Sequence, residues 1–206
     1  MGVYFAVQFL GRLIASPTTD LDESEQLLAT QQLAWGYGPQ PPLYTWLQIL
    51  VFAGLGVNVF ALALLKNTLL FSVYLFTYLT AREIFRETRH ALLATFSLLL
   101  IVLFAWESQR DQTHLVLATA LAAATMFAAV RLFIRRSPSW YCLLGVLAGL
   151  GVLAKYNYAA VIVSLLLATL SLPALRPVLL DRRILLTLAC FLVVTTPHVY
   201  WAWTHP

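Results

Sequence analysis

The sequence predicts an all-α protein, a polytopic bundle of about six or seven transmembrane helices with one further helix in the membrane interface. Two observations predict this class. Of the 206 residues, 61% are hydrophobic and only 11% are charged, whereas soluble domains average about 25% charged residues. The apolar residues also form long uncharged runs, of the kind that crosses a bilayer core about 30 Å thick.

The same composition excludes several classes of protein. A chain this apolar is not expected to be disordered, collagen-like or a disulfide-rich secreted protein. The net charge of +4 and the isoelectric point near 9.3 do not indicate nucleic-acid binding, because the basic residues lie between apolar runs and not on one polar face. Cys142 and Cys190 both lie inside apolar runs, which indicates packing residues and no disulfide framework or zinc site.

Uncharged runs mark the expected spans. These runs cover residues 1–11, 91–106, 113–130, 137–154, 156–175 and 184–204. The first run is followed by Arg12 and has no base before it. That charge order is opposite to the order in a signal peptide, so we expect a spanning helix over residues 1–15. Several runs are short for a bilayer, and tilted helices or a locally thinned membrane are therefore expected.

A longer apolar stretch, residues 42–81, exceeds one ordinary span. The Gly-Leu-Gly sequence at 54–56 is expected to break it. Residues 42–53 then form a helix that lies in the interface, with Thr45 and Gln48 as a narrow polar stripe. The second part of the stretch crosses the membrane.

The charged residues predict the orientation of the bundle. Threading from a cytoplasmic N-terminus places nine arginines inside, namely Arg82, Arg86, Arg89, Arg131, Arg135, Arg136, Arg176, Arg182 and Arg183. Only Arg110 and Lys155 are left outside, an asymmetry that the mirror topology would reverse. Six of the nine acidic residues are expected on the outer face. These six are Asp20, Asp22, Glu23, Glu25, Glu107 and Asp111. We therefore expect a multi-pass protein of the plasma membrane whose active face is extracytoplasmic.

The first outer loop, residues 16–43, contains four acids and no base. Clustered carboxylates at a membrane surface repel one another and the anionic headgroups, so they need a metal, a basic ligand or full solvation. A structural interpretation stays open beside the functional one. In it, Asp22 caps a helix over 23–34 and Glu25 completes a D-x-x-E capping arrangement.

A string of residues in this loop carries a family resemblance. Asp22-Glu23 is followed by a helix-length gap, then by GYG at 36–38 and PPLYTWL at 41–47. This string resembles the first outer loop of the type C glycosyltransferases related to protein O-mannosyltransferases. It is most similar to that of their bacterial relatives, the lipid A aminoarabinose transferases and the lipopolysaccharide-core galacturonic acid transferases. The resemblance implies a type C glycosyltransferase-like bundle in a bacterial inner membrane.

Later segments resemble the same family more weakly. They are ESQRD at 107–111, LLGVLAGLGVLAKY at 143–156 and PHVYW at 197–201. Family members are usually longer, with further spans and often a soluble outer domain. Residues 1–206 are therefore expected to be the N-terminal catalytic membrane module of a longer protein.

The resemblance implies a reaction and a first role. In the family, a sugar moves from a polyprenyl phosphate to a lipid, glycan or protein acceptor at the outer leaflet, with inversion expected. Asp22 is implied as the catalytic base, since the attacking hydroxyl must lose its proton. Glu23 is expected to orient Asp22, to bind the acceptor or to help hold a divalent ion; it is equally compatible with a first-turn acid favoured by the helix dipole.

Further residues are assigned to substrate binding. Lys155 and Arg110 are the only bases that the topology offers to the donor phosphate, although Lys155 is also compatible with snorkelling and Arg110 with pairing to a nearby acid. Asp111 is either a substrate ligand or a helix cap. The resemblance adds Tyr37 and Pro42 to the substrate-binding set.

Three questions stay open at this level. The cofactor is left open: some members of the family that the chain resembles use a divalent metal ion and others do not, so a divalent ion is neither required nor excluded. Arg12 and Lys66 lie at membrane depth and receive no role. Two other functions compete with the enzyme: a flippase-like carrier of lipid-linked sugars, which should place its charges near the bilayer midplane, and an inactive partner subunit.

Overall fold

The computed structural model describes residues 2–15, 18–102, 107–108 and 112–205. Within these ranges every regular element is a helix, apart from one isolated bridge between Tyr37 and Gln40. The predicted all-α class is therefore confirmed. Arg110 and Asp111, both predicted as site residues, lie outside the described ranges.

The described residues form a series of helices along the chain. In chain order they are α1 (Gly2–Ala15), α2 (Leu21–Ala29), α3 (Leu43–Leu55), α4 (Val59–Ile84), α5 (Thr88–Phe96), α6 (His114–Arg135), α7 (Pro138–Ala154), α8 (Ala159–Ser171), α9 (Arg176–Leu180) and α10 (Ile184–Thr204). Two 3-10 turns are interposed, Ser97–Leu100 after α5 and Tyr156–Tyr158 before α8.

The lengths and compositions of the helices are those of a membrane protein. Among the described residues, three helices are long and apolar enough to cross a bilayer, α4, α6 and α10. The shorter apolar helices cover Gly2–Ile14, Leu43–Leu55, Pro138–Ala154 and Tyr156–Ser171. A helical membrane protein is thus confirmed, whereas the count of six or seven spans stays a prediction.

The break predicted inside the stretch 42–81 falls between α3 and α4. The α4 helix begins after Asn58, whose side-chain oxygen accepts a hydrogen bond of 2.8 Å from the backbone of Ala61. The polar stripe of α3 differs from the expectation, because Thr45 and Gln48 are both fully buried. These side chains face the protein interior, where the acidic loop supplies a partner for Thr45.

Two other expected spans contain a 3-10 turn as well as an α-helix. The run 91–106 starts as α5 and continues as a 3-10 turn at Ser97–Leu100. The run 156–175 begins with a second 3-10 turn and becomes α-helical only at Ala159. Apolar composition alone does not distinguish an α-helix from these tighter turns, because it does not specify the hydrogen-bond pattern of the backbone.

Small residues on α7 allow close helix packing. A Cβ atom at Gly145 would lie 2.2 Å from the carbonyl oxygen of Thr187 in α10. At Gly149, it would lie 2.9 Å from the side chain of Val194 in the same helix. Membrane helices often approach each other through such small residues, because van der Waals contact is the main attraction between them in lipid.

The two ends of the bundle carry different charged side chains. At the end predicted to face the cytoplasm, Arg131 forms an ion pair of 2.6 Å with Glu83 and lies over the ring of Trp140. At the opposite end, the acidic first loop contacts the start of α6 and the C-terminal part of α10. The start of α6 in turn contacts the end of α7. The loop that carries the predicted site is therefore held against two helices and is connected to a third through α6.

Candidate active site

The α2 helix places the two predicted catalytic acids. Its N-terminal capping residue is Asp20, and the backbone N–H of Asp20 donates to Oε2 of Glu23 at 3.4 Å. This is a D-x-x-E arrangement two residues earlier than the structural interpretation expected. The expected helix over 23–34 with Asp22 as its cap is therefore wrong, and Asp22 lies inside the first turn of the helix.

Asp22 and Glu23 point to different surroundings, as neighbours on a helix must. Asp22 is partly exposed, and its Oδ2 accepts a hydrogen bond of 3.1 Å from the backbone N–H of Thr113, just before α6. Glu23 is buried, with 1% of its surface exposed. The partly exposed carboxylate is the one that can meet a substrate.

Glu23 is held between two cations from two other helices. Its Oε2 lies 2.7 Å from Nη2 of Arg12 in α1, and its Oε1 lies 3.0 Å from Nζ of Lys66 in α4. The side chain of Lys66 is 3% exposed and that of Arg12 is 18% exposed. Arg12 also donates to the carbonyl of Thr18 at 2.9 Å. We call Arg12, Glu23 and Lys66 the ion triad.

The ion triad keeps Glu23 ionised. Burial alone would raise the pKa of Glu23, but the positive charges of Lys66 and Arg12 and their hydrogen bonds outweigh it, so the pKa is held below its ordinary value. A buried carboxylate of this kind is stable only while both cations stay in place. The triad therefore ties α2 to α1 and α4.

Arg12 and Lys66 lie next to the predicted catalytic acids, although the sequence pattern assigned them no role. The only signal was their position at membrane depth, where a charge is costly and needs a partner. That signal did not identify the partner, because Glu23 is separated from Arg12 by 11 residues and from Lys66 by 43.

A second buried network connects α2, α3, α6 and α7. Gln26 of α2 accepts a hydrogen bond of 3.0 Å from the hydroxyl of Thr45, and its amide nitrogen lies 3.0 Å from Nε2 of His114. The other ring nitrogen of His114 lies 3.3 Å from the carbonyl oxygen of Ala154, at the end of α7. The sequence pattern around His114 gave no sign that this residue belongs to a site.

Lys155 follows immediately after α7 and is partly buried. The carbonyl oxygen of the preceding residue, Ala154, lies 3.3 Å from Nδ1 of His114. Asp22 accepts a hydrogen bond from the backbone N–H of Thr113, the residue before His114. Two of the predicted site residues, Asp22 and Lys155, therefore lie beside contacts that the start of α6 makes.

Tyr37 and Pro42 shape the loop in the structure. The Tyr37 hydroxyl donates to the carbonyl of Gln32 at 2.8 Å and accepts from the backbone N–H of Ala34 at 2.9 Å. Pro42 is buried and starts α3, where its carbonyl accepts the N–H of Trp46 at 2.9 Å. Their assignment to substrate binding stays a prediction.

The far end of the loop is fixed against α10. His198 contacts the carbonyl of Trp35 through Nδ1 at 2.6 Å and the hydroxyl of Tyr156 through Nε2 at 3.1 Å. A Cβ atom at Gly36 would lie 2.0 Å from the ring of Trp201, so only glycine allows this approach. The GYG segment thus packs directly on α10.

The described residues do not form a metal centre. Among them, no three His, Cys, Asp or Glu side chains come close enough together to hold a metal ion.

These features define a helical membrane protein with a carboxylate and a lysine gathered at one end of its bundle. The chain belongs to the dolichyl-phosphate-mannose-protein mannosyltransferase family, whose model matches residues 39–201. The family resemblance predicted from the first loop is therefore confirmed, and the chain is a member of a glycosyltransferase family.

Two curated relatives come from Rhizobium johnstonii. The lipopolysaccharide core galacturonosyltransferase RgtB is 44% identical over 98% of this chain, and the lipopolysaccharide core galacturonosyltransferase RgtA is 33% identical over 98%. The chain spans 41% and 40% of their respective lengths. No solved structure matches the chain significantly.

Proposed function

We propose that this protein transfers a sugar from a polyprenyl-phosphate donor to an acceptor on the extracytoplasmic side of a bacterial inner membrane. The names of the two relatives support a galacturonosyl group as the sugar and the lipopolysaccharide core as the acceptor. One observation carries the proposal. Asp22, a partly exposed carboxylate, accepts a hydrogen bond from Thr113, and the neighbouring His114 contacts the carbonyl of Ala154 next to Lys155, at the end of the bundle that the charge pattern predicts to be outside.

The proposed reaction is a single displacement with Asp22 as general base. The acceptor hydroxyl oxygen forms a bond to the anomeric carbon of the sugar, while its proton passes to the carboxylate of Asp22. The bond from the anomeric carbon to the phosphate oxygen breaks, and its electron pair leaves with the polyprenyl phosphate. Attack opposite to the leaving group inverts the anomeric configuration. Phosphate is a good leaving group, so no strong general acid is needed.

The other residues have supporting roles in this proposal. Lys155 is proposed to bind the donor phosphate, where a cation offsets the charge that develops on the leaving oxygen. Arg110 and Asp111 remain proposed ligands of the substrates. Of the roles predicted for Glu23, the ion triad supports the orienting one, because both carboxylate oxygens are already paired with cations.

The location of the ion triad favours the transferase over a lipid-linked-sugar carrier. Lys66 is the eighth residue of the 26-residue helix Val59–Ile84, so it lies about 10 Å from the start of a helix that is roughly 39 Å long. A carrier is expected to hold its charges near the bilayer midplane. The buried charges of the triad lie closer to the membrane boundary.

The proposal is tested by sugar transfer in membranes that contain the protein. The donor is galacturonosyl polyprenyl phosphate, and the acceptor is a lipopolysaccharide core that lacks the added sugar. We expect a galacturonosylated product whose anomeric configuration, read by NMR, is opposite to that of the donor. A product with retained configuration would contradict the single displacement, and donor binding without any transfer would favour the carrier.

A further inference from the structure

The chain of hydrogen bonds through His114 is buried along its whole length. Thr45 and Ala154 have no exposed surface, while Gln26 is 4% and His114 is 7% exposed. Three contacts connect them in sequence, from the Thr45 hydroxyl to Gln26, from Gln26 to His114 and from His114 to the carbonyl of Ala154. Buried networks of this kind are stable only when every donor meets an acceptor.

The partners determine where the histidine carries its proton. The carbonyl of Ala154 can only accept, so Nδ1 of His114 must carry a hydrogen. The Thr45 hydroxyl donates to Oε1 of Gln26, which leaves the Gln26 amide nitrogen to donate to Nε2 of His114. His114 is therefore neutral, with its single proton on Nδ1.

The alternative orientation of Gln26 is unfavourable. If the amide were turned over, its oxygen would face Nε2 of His114 and would require a second proton on the ring. The ring would then be a buried cation. Burial disfavours such a cation, because His114 is only 7% exposed. The orientation in the structure satisfies each contact with a neutral ring and needs no buried cation.

This chain of hydrogen bonds connects α2, which carries Asp22, with the end of α7, which precedes Lys155. Gln26 lies one helical turn after Asp22 on α2, and Ala154 directly precedes Lys155. The residue before His114, Thr113, donates its backbone N–H to Asp22 at 3.1 Å. The start of α6 therefore holds the base from one side and the lysine-bearing end of α7 from the other.

We propose that His114 is a positioning residue that sets the spacing between Asp22 and Lys155, with Gln26 as its partner. The inference rests on the proposed function for the roles of Asp22 and Lys155. Positioning matters here because a displacement of about 1 Å can lower a rate by about 100-fold. The two ends of the hydrogen-bond chain affect different parts of the proposed reaction. The α2 end positions the base, and the α7 end positions the residue that binds the donor phosphate.

Two substitutions of His114 test the two ends of the hydrogen-bond chain separately. In His114→Asn, the amide nitrogen takes the place of Nδ1 and still reaches Ala154, but the contact with Gln26 is lost. In His114→Gln, the longer amide still reaches Gln26, but the contact with Ala154 is lost. We expect the Asn variant to lower kcat about tenfold at a nearly unchanged KM for the donor. We expect the Gln variant to raise the donor KM about tenfold at a nearly unchanged kcat.

A matched control comes from the other end of the bundle. Tyr141 is fully buried and donates one hydrogen bond of 3.1 Å to the carbonyl of Val178. Tyr141→Phe should lower the thermal stability and leave both kinetic parameters unchanged. If both His114 variants lower stability and change kcat and KM in the same proportion, His114 is merely structural and the positioning role is overturned.

A spectroscopic measurement tests the hydrogen-bond chain without an assay of sugar transfer. In protein labelled with 15N-histidine and reconstituted in bilayers at neutral pH, the signal that disappears in His114→Gln should be that of a neutral ring protonated on Nδ1. A ring protonated on Nε2, or on both nitrogens, would overturn the chain. A wild-type protein with the expected ring but no transfer would instead overturn the proposed function, and with it the catalytic use of His114.

Discussion

Replacing Asp22 with asparagine is expected to lower the rate of sugar transfer by about 10²- to 10⁴-fold, the usual contribution of a general base. The substitution is nearly isosteric. The side-chain oxygen of asparagine can still accept the hydrogen bond that the backbone N–H of Thr113 gives to Asp22 at 3.1 Å. What is lost is the basic carboxylate, so turnover should fall while donor affinity and thermal stability stay close to those of the wild type.

The matched control for Asp22 is Glu25→Gln. Glu25 is an exposed acid on the same helix, and its neutralisation removes the same charge from the loop without touching the site. We expect this variant to transfer sugar at nearly the wild-type rate. Substantial turnover by Asp22→Asn, or an equal loss in both variants, would remove Asp22 from the role of base.

Replacing Glu23 with alanine is expected to destabilise the protein by about 3 to 5 kcal/mol, because it removes the carboxylate that pairs with the buried ammonium of Lys66. The Lys66 side chain is only 3% exposed, so water cannot easily replace the carboxylate. The measurement is thermal unfolding in detergent micelles, where a loss of this size corresponds to a fall in Tm of roughly 10 °C. Glu25→Ala should leave Tm nearly unchanged.

A double substitution distinguishes a charge effect from a packing effect. If the loss in Glu23→Ala comes from the uncompensated charge, Lys66→Met in the same chain should restore much of the stability, since a buried ion pair can often be replaced by apolar residues at little cost. Arg12 can remain, because its side chain is 18% exposed and donates to the carbonyl of Thr18. If the double variant is less stable than Glu23→Ala, the two residues are not energetically coupled as the triad requires.

The ion triad also predicts how the stability of the protein changes with pH. The pKa of Glu23 is lowered below its ordinary value of 4.5 by the folded structure. Its contribution to stability is therefore complete above about pH 4.5 and is lost as the pH falls towards the lower pKa of the folded state. The destabilising effect of Glu23→Ala should shrink over this acidic range.

The sequence predicted the apolar helices and the family resemblance of the first loop, because both depend on residue type. It did not predict the register of α2. The segment contains two overlapping D-x-x-E patterns, Asp20 to Glu23 and Asp22 to Glu25, and local capping rules do not choose between them. In the structure, Glu23 is also paired with Arg12 and Lys66, and this tertiary contact favours the earlier pattern.

The buried networks were beyond sequence reasoning for a related reason. Gln26 and His114 are 88 residues apart, and His114 and Ala154 are 40 residues apart. Periodicity and composition describe neighbours along the chain, whereas these contacts depend on how α2, α6 and α7 pack. For the same reason, the buried stripe of Thr45 and Gln48 was expected at the membrane surface, since a polar stripe on a helix has the same sequence pattern wherever it faces.

The central claim is that the acidic first loop faces away from the cytoplasm. The most direct measurement is labelling of single cysteines with a membrane-impermeant maleimide in intact spheroplasts, in a background with Cys142 and Cys190 replaced by alanine. Both Glu25→Cys and Arg182→Cys use exposed positions, at opposite ends of the bundle. We expect Glu25→Cys to react in intact spheroplasts and Arg182→Cys to react only after lysis. The reverse result would place Asp22 in the cytosol and contradict the account.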